Sequence, residues 1–235
     1  MKTHFFAASR LRVSLVGCSL RYIVIGAAVS ALLAAQPGSD FTFAVLKYGG
    51  GGDWYEGTVG VRNLMQLLSR SAAIVPANDP VIAAPLDPGL YMHPLVFMNG
   101  HGNISFTKDE VRALRRYIEA GGFIFANDDY GMDASFRREM KRIIPESDLV
   151  ELPRSHRIYH VRYDFPAGLP KIHVHEGGAP KGYGLFLRGR LVVFYAYDAD
   201  IADGWADPEV HKDAEAKRLE GLRMGVNVIL YALEN

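Results

Sequence analysis

Between Pro94 and Asp129 the spacing of apolar positions changes from continuous to helical and back to continuous, and each change is marked by glycine or a capping pair. Leu95-Val96-Phe97-Met98 is wholly apolar, which predicts a strand covered on both faces. It runs into a polar turn with two glycines, Asn99-Gly100-His101-Gly102-Asn103. Thr107 and Glu110 then have capping-box spacing, with Phe106 and Val111 placed as a hydrophobic staple around them. Val111, Leu114 and Ile118 form one helical stripe, which Gly121-Gly122 ends. The next apolar run, Phe123 to Ala126, predicts a second strand that empties into Asn127-Asp128-Asp129-Tyr130-Gly131. In a doubly wound sheet the ligand crevice lies outside the carboxyl ends of the strands, so the loops of His101 and Asp128 are expected to be neighbours at its mouth.

The flanking pattern extends this alternation. Phe41 to Lys47 reads as a first strand opening into Tyr48 and four glycines, Gly49 to Gly52, which permit close backbone approach or mobility. Glu56 to Ser69 carries Val61, Leu64, Leu67 and Leu68 at helical spacing, and the proline-rich stretch after it holds one short strand, Val81 to Ala84. Asp133 is placed as the N-cap of a helix bearing Phe136, Met140, Ile143 and Ile144, stopped by Pro145. Leu149 to Leu152 predicts a short strand, and Ile172-His173-Val174-His175 alternates as a strand does. Tyr183 to Leu187 and Leu191 to Ala196 predict a hairpin, and its second strand ends in Tyr197-Asp198-Ala199-Asp200. A helix from about Ala214 carries Leu219, Leu222, Val226, Ile229 and Leu233. With no repeat or low-complexity tract, residues 41–235 are expected to be one domain, a three-layer α/β sandwich whose mostly parallel sheet has an antiparallel edge hairpin.

Charge changes the picture at the N-terminus. Lys2, Arg10, Arg12 and Arg21 lie in the first 35 residues with no acid, so of 26 basic and 26 acidic residues the remainder keeps 22 and 26. That mildly acidic remainder argues against a nucleic-acid partner. Tyr22 to Ala35 is a charge-free apolar run behind basic residues and before Gln36-Pro37-Gly38, the plan of a signal peptide cleaved near Ala34 or Ala35. Its 14 residues fall short of the roughly 20 that cross a bilayer, although Leu15 to Ala35 would nearly suffice as an uncleaved anchor. The chain is therefore expected to be exported, periplasmic or extracellular, or else held at the inner membrane by residues 15–35. Cys18, the only cysteine, follows Leu15-Val16-Gly17 as in a lipobox, but the apolar run lies after it instead of before. Without Cys18 the domain has neither a disulfide nor a thiol nucleophile.

The candidate chemistry sits at the strand ends. Asp128 and Asp129 are adjacent carboxylates; if both face a crevice one pKa rises, as in a general acid or base, whereas a turn cap and a solvated acid are the ordinary alternative. His101 joins them as a base or oxyanion donor, or as a histidine held by its own turn. Ligand-binding roles are assigned to Tyr48, Asp53, Trp54, Asn99, Asn127, Tyr130, Arg137, His156, His160, Asp198 and Asp200. Trp54, Tyr55, Tyr130 and Trp205, beside glycines and acids, suit stacking on a sugar ring or simply rim packing. Arg137 is placed to neutralise Asp128 or Asp133, or to hold an anion. His173 and His175 with Asp128 or Asp198 offer three metal donors, but no His-Glu-x-x-His spacing occurs. Neither metal nor cofactor is expected.

Two resemblances follow from these residues. The order of elements is similar to the class I glutamine-amidotransferase-like, flavodoxin-type folds. More closely, the chain from Phe41 onward resembles the bacterial domain of unknown function 4159 family, through Tyr48…Asp53-Trp54, Asn99-Gly100-His101-Gly102, Gly121-Gly122-Phe123…Asp128-Asp129, His156…Ile158-Tyr159-His160 and Gly189-Arg190…Asp198…Asp203-Gly204-Trp205. The first resemblance implies a cysteine nucleophile in the turn after Phe123 to Ala126; that turn here reads Asn127-Asp128-Asp129, which excludes glutamine hydrolysis through a thioester. The functional expectation is a domain that binds a sugar, polyol or similar polar small ligand, and hydrolyses it if His101 and the aspartates act as acid and base. The alternative is a non-catalytic binding or assembly module with an envelope-protein partner.

Overall fold

The computed structural model describes residues 40–173 and 177–235. The N-terminal apolar segment, Cys18 and His175 lie outside the described residues. Those that are described fall in one compact unit, 39–235.

The sheet is seven-stranded, in the order β2-β1-β3-β4-β7-β6-β5. Its strands are β1 (Ala44–Leu46), β2 (Val81–Ala83), β3 (Leu95–Met98), β4 (Phe123–Asn127), β5 (Val150–Glu151), β6 (Lys181–Leu187) and β7 (Arg190–Tyr197). The first five in spatial order are mutually parallel, while at the edge β6 pairs antiparallel with β7 on one side and with β5 on the other. The α-helices among the described residues are α1 (Val61–Ser71), α2 (Lys108–Glu119), α3 (Asp133–Ile143), α4 (Pro208–His211) and α5 (Glu215–Glu234).

The continuous apolar runs of β3 and β4 are explained by burial on both faces. Val45, Leu95, Phe97, Phe123 and Phe125 point into one core with Leu64 and Leu68 of α1, Met224 and Val228 of α5, and Trp205. Their neighbours Ala44, Leu46, Val96, Met98 and Ile124 point into a second core with Leu114 and Ile118 of α2 and Phe136 and Met140 of α3. Alternate side chains of each strand thus feed alternate layers, giving the expected α/β sandwich.

Both halves of the predicted capping box form on α2: Thr107 Oγ1 accepts from the Glu110 N–H, and the Thr107 N–H donates to Glu110 Oε2 at 2.7 Å. The hairpin turns through Arg188 and Gly189, both at positive φ (53° and 81°), as a two-residue connection between twisted strands requires. Three elements differ from the pattern. The helix expected over 56–69 is split at Gly60 (φ 70°) into a 3-10 turn, Trp54–Thr58, and α1. Met132, not Asp133, is the N-cap of α3, because Asp128 accepts the Met132 N–H and leaves Asp133 in the first turn. Ile172-His173 is not a strand; the Ile172 N–H donates to Ala199 O at 2.7 Å, tying the segment to the loop after β7.

The fold places the site through its topology. β2 and β3 lie on opposite sides of β1, so the connections reverse direction between β1 and β3, the position at which open parallel sheets leave a crevice. Val45, Phe97, Phe125 and Phe194 are level across the sheet, so the loops after β1, β3, β4 and β7 leave the same edge at the same height.

Candidate functional site

The first wall of this crevice is built on the ends of β1, β3 and β4. The glycine loop after β1 does not wait for a ligand; it pairs with its neighbour. The Ser105 N–H donates to Gly49 O at 2.8 Å and the Gly52 N–H to Asn103 O at 3.1 Å. This fastens Asp53 under the His101 turn, where its carboxylate accepts both the His101 backbone N–H and the Nδ1 side of the ring at 2.9 Å. Gly100 makes the approach possible: its φ is 131°, and a Cβ there would lie 2.6 Å from Asp53 Oδ1 and 2.7 Å from the Tyr48 hydroxyl. Asp129 reaches the same His101 Nδ1 at 3.5 Å.

Electrostatics follow from this crowding. Burial raises the Asp53 carboxyl, but two hydrogen bonds from His101 and its charge outweigh burial, and the pKa is lowered. Burial works against the His101 imidazolium, yet the charge of Asp129 and then the bond and charge of Asp53 outweigh it, and the pKa is raised. Tyr48, buried and facing Asp53 and Asp129, has its phenol pushed up, so it stays protonated and donates to Asn99 O at 3.0 Å.

The second wall comes from the chain around β7. Asp198 and Asp200 both adopt positive φ (50° and 52°), which turns the chain sharply out of the strand. Asp198 is ion-paired with Lys171 at 2.9 Å. Asp200 is 1% exposed and sits with Asp129 and Asp203, carboxylate atoms of the three lying within 4.8 Å of one another. Its carboxyl is pushed up to about 11, first by burial and then by Asp129 and Asp203. His173 Nδ1 lies 2.6 Å from Asp203 and 3.4 Å from Asp200, and its Nε2 lies 2.7 Å from Asp213. His211 Nε2 is 3.6 Å from the other oxygen of Asp203.

Between the walls is a cleft of about 360 Å³, lined by Glu56, Asn99, His101, Asp129, His173, Asp203 and His211 among others. Of the expected site residues, the structure gathers Asp53, Asn99, His101, Asp129 and Asp200 at or beside this cleft. Tyr130, half exposed, pairs by backbone with the His101 turn.

Other expected residues face elsewhere, each for a definite reason. Asp128 and Asp129 diverge: Asp128 accepts from the Tyr195 hydroxyl at 2.8 Å and caps α3, whereas Asp129 faces the cleft. The Asn127 amide donates to Asn99 Oδ1 at 2.6 Å and accepts the Ile201 N–H at 2.8 Å, so it clamps the two walls together. Arg137 pairs with Asp133 at 2.7 Å and lies over the Tyr183 ring, 4.6 Å from its centroid, beside a separate groove with Lys141 and Asp148. His156 packs on Tyr231 and Phe186, and burial lowers its pKa. His160 is tied to Asp164 and Arg154 O. Trp205, expected near a sugar, lies in the core against Phe43, Phe97 and Phe125. Trp54 is half-buried beneath Lys47, and Tyr55 is exposed.

Glu56, Asp203, His211 and Asp213 carry no local sequence signal for a site, and His173 joins a donor group other than the one its strand-like alternation with His175 suggests. The available signal was the acidic run Asp198, Asp200, Asp203 followed by His211 and Asp213, which converges only once the irregular chain is folded.

A family model, domain of unknown function DUF4159, matches residues 42–233. None of the curated proteins matches the chain. Among solved structures, the exo-beta-1,4-mannosidase Op5Man5 from Opitutaceae bacterium strain TAV5 aligns at 13% identity and a TM-score of 0.36, over 86% of this chain and 38% of its own. The chain thus spans well under half of that protein, and at this score the likeness says nothing about what the chain binds or does.

Proposed function

This chain belongs to the DUF4159 family, whose description names no activity, and we propose from the site itself that the domain binds a polar small ligand, sugar-like or polyol-like, and hydrolyses it by Asp/His acid-base chemistry. The observation that carries this reading is the Asp53–His101–Asp129 chain opening on the cleft at the switch point of the sheet. Asp53 and Asp129 take Nδ1, so Nε2 of His101 is the nitrogen that exchanges a proton with a ligand or water. Asn99 and Glu56 supply further polar contacts. No cysteine is available for a covalent route in the domain.

The basic and then apolar N-terminus supports export, with the domain outside the cytoplasm or held at the inner membrane by residues 15–35. No helix among the described residues is long and apolar enough to cross a membrane.

A thermal-shift and turnover screen of sugars, glycosides, cell-wall fragments and amides tests the proposal. The expected result is one class that both raises the melting temperature and is cleaved, with kcat/KM falling about 10²–10⁴-fold in His101→Ala. No shift from any class would sink it. A shift without turnover would favour the second reading, a non-catalytic binding module of the envelope, which gains some support from Asp128 and Asn127 being committed to the frame.

A further inference from the structure

The geometry points to a divalent transition-metal site on the second wall, formed by His173, Asp203 and His211 with Asp200 beside them. One nitrogen from each histidine and one Asp203 oxygen lie within 4.8 Å of one another, close enough to be drawn onto one ion. This donor set is two imidazoles and a carboxylate, which suits zinc, manganese or iron(II) better than magnesium or calcium.

The arrangement around His173 gives an independent reason. Its Nε2 is 2.7 Å from Asp213 Oδ2, the outer carboxylate contact that commonly fixes a metal-bound histidine. On the other side of the ring, Nδ1 faces Asp203 Oδ2 at 2.6 Å and Asp200 Oδ2 at 3.4 Å. An ion held between Nδ1 and these carboxyl groups would also engage His211, whose Nε2 is 3.6 Å from Asp203 Oδ1. Charge argues the same way: among the described residues the cleft lining holds Glu56, Asp129 and Asp203 with no lysine or arginine. Lys171 is occupied with Asp198, and Lys217 sits behind, 3.6 Å from Asp213.

The site does not rest on the hydrolytic reading, because His101 is not a donor and the ion can bind with no substrate present. Its place in the same cleft does mean that a ligand held by His101 would face the ion's open side, where a metal activates water or polarises a carbonyl.

The full chain, stripped with chelator and dialysed, is titrated calorimetrically with Zn²⁺, Mn²⁺, Fe²⁺ under anaerobic conditions, and Mg²⁺, with metal content checked by elemental analysis. One equivalent of a transition ion is expected to bind and raise the melting temperature, with Mg²⁺ unable to compete at equal concentration. His211→Ala, at a partly exposed position on the short α4 where folding should survive, is expected to weaken binding by more than about tenfold, and Asp213→Asn by about 10–100-fold. His101→Ala should keep the ion, which separates failure of this site from failure of the hydrolytic one. The proposal is overturned if the wild type binds none of the transition ions, or if folded His211→Ala, verified by circular dichroism, binds them as the wild type does.

Discussion

The two walls of the cleft carry similar side chains but are held in different ways. Asp53, His101 and Asp129 project from turns that begin where level, hydrogen-bonded strands end, so the sheet register itself fixes their height. His173, Asp203, His211 and Asp213 sit on coil, a 3-10 turn (Ile201–Trp205) and the four-residue α4, with no ladder to place them. Anchors replace the ladder. Trp205 plunges into the core and its indole N–H donates to Gly221 O of α5 at 3.0 Å. Asn63 of α1 donates to Trp205 O at 2.8 Å and to Asp207 at 2.9 Å, and Arg218 of α5 holds Ala206 O at 3.0 Å. The lesson is that an irregular segment can be as well placed as a strand end, provided that one large side chain is driven into the core on its behalf.

Removing that anchor is the strongest way to break the comparison. Trp205→Ala deletes a fully buried ring against Phe43, Phe97 and Phe125 and is expected to cost about 3–5 kcal/mol of stability, measured by denaturant unfolding. Any ion binding on the second wall should vanish with it. A cost below about 1 kcal/mol would mean that the segment from Ile201 to His211 holds its shape without the core.

The same contrast explains what the sequence disclosed. β3, the capping box of α2 and β4 were legible because local chemistry and burial agree there: an all-apolar run, Thr107 with Glu110, and Gly121-Gly122 each have a single reading. The meeting of His101 with Asp129 followed from the rule on strand ends. What the pattern could not resolve was direction within a turn. Asp128 and Asp129 are chemically identical neighbours, and only Tyr195, 67 positions away, and the start of α3 decide that Asp128 faces inward. Trp205 sits near a glycine and acids in the sequence, a pattern that suits sugar stacking or rim packing, although α1, α5 and three phenylalanines enclose it. His173, Asp203 and His211 had no periodicity to announce them, since their convergence depends on coil packed over long sequence separations. His156 and His160, read as ligand-binding, instead serve the packing of α5 and a local turn, a histidine's more ordinary use.

A smaller and more selective break is Gly100→Ala on the first wall. The added methyl must adopt φ 131° and would meet Asp53 Oδ1 and the Tyr48 hydroxyl at under 3 Å, so the His101 turn has to move. The expected cost is about 3 kcal/mol at the upper end for one strained position, read by thermal unfolding. Ligand-dependent shifts that require His101 should be lost, while metal binding to the folded variant should persist. Loss of both together would show that the walls are one cooperative unit, not two separately built halves.

The sharpest comparison with the smallest energies uses the two adjacent acids, since one belongs to the frame and the other to the cleft. Asp128→Asn replaces a carboxylate that accepts from Tyr195 and the Met132 N–H with an amide that can present only one acceptor atom. Burial and the neighbouring carboxylates keep the Tyr195 phenol protonated, so the lost partner is a true donor, and the expected destabilisation is about 1–2 kcal/mol. Asp129→Asn acts in the opposite direction. It removes a charge from three crowded carboxyl groups within 4.8 Å, giving up the 3.5 Å contact to His101 and leaving one amide oxygen to pair with the Asp200 carboxyl that hydrogen-bonds Asp129, so the metal-free chain should become more stable by at most about 1 kcal/mol. Chemical unfolding of both variants in chelator checks the pair. Equal destabilisation would mean that Asp129, like Asp128, is part of the frame, and the cleft would then lose the carboxylate that links its two walls.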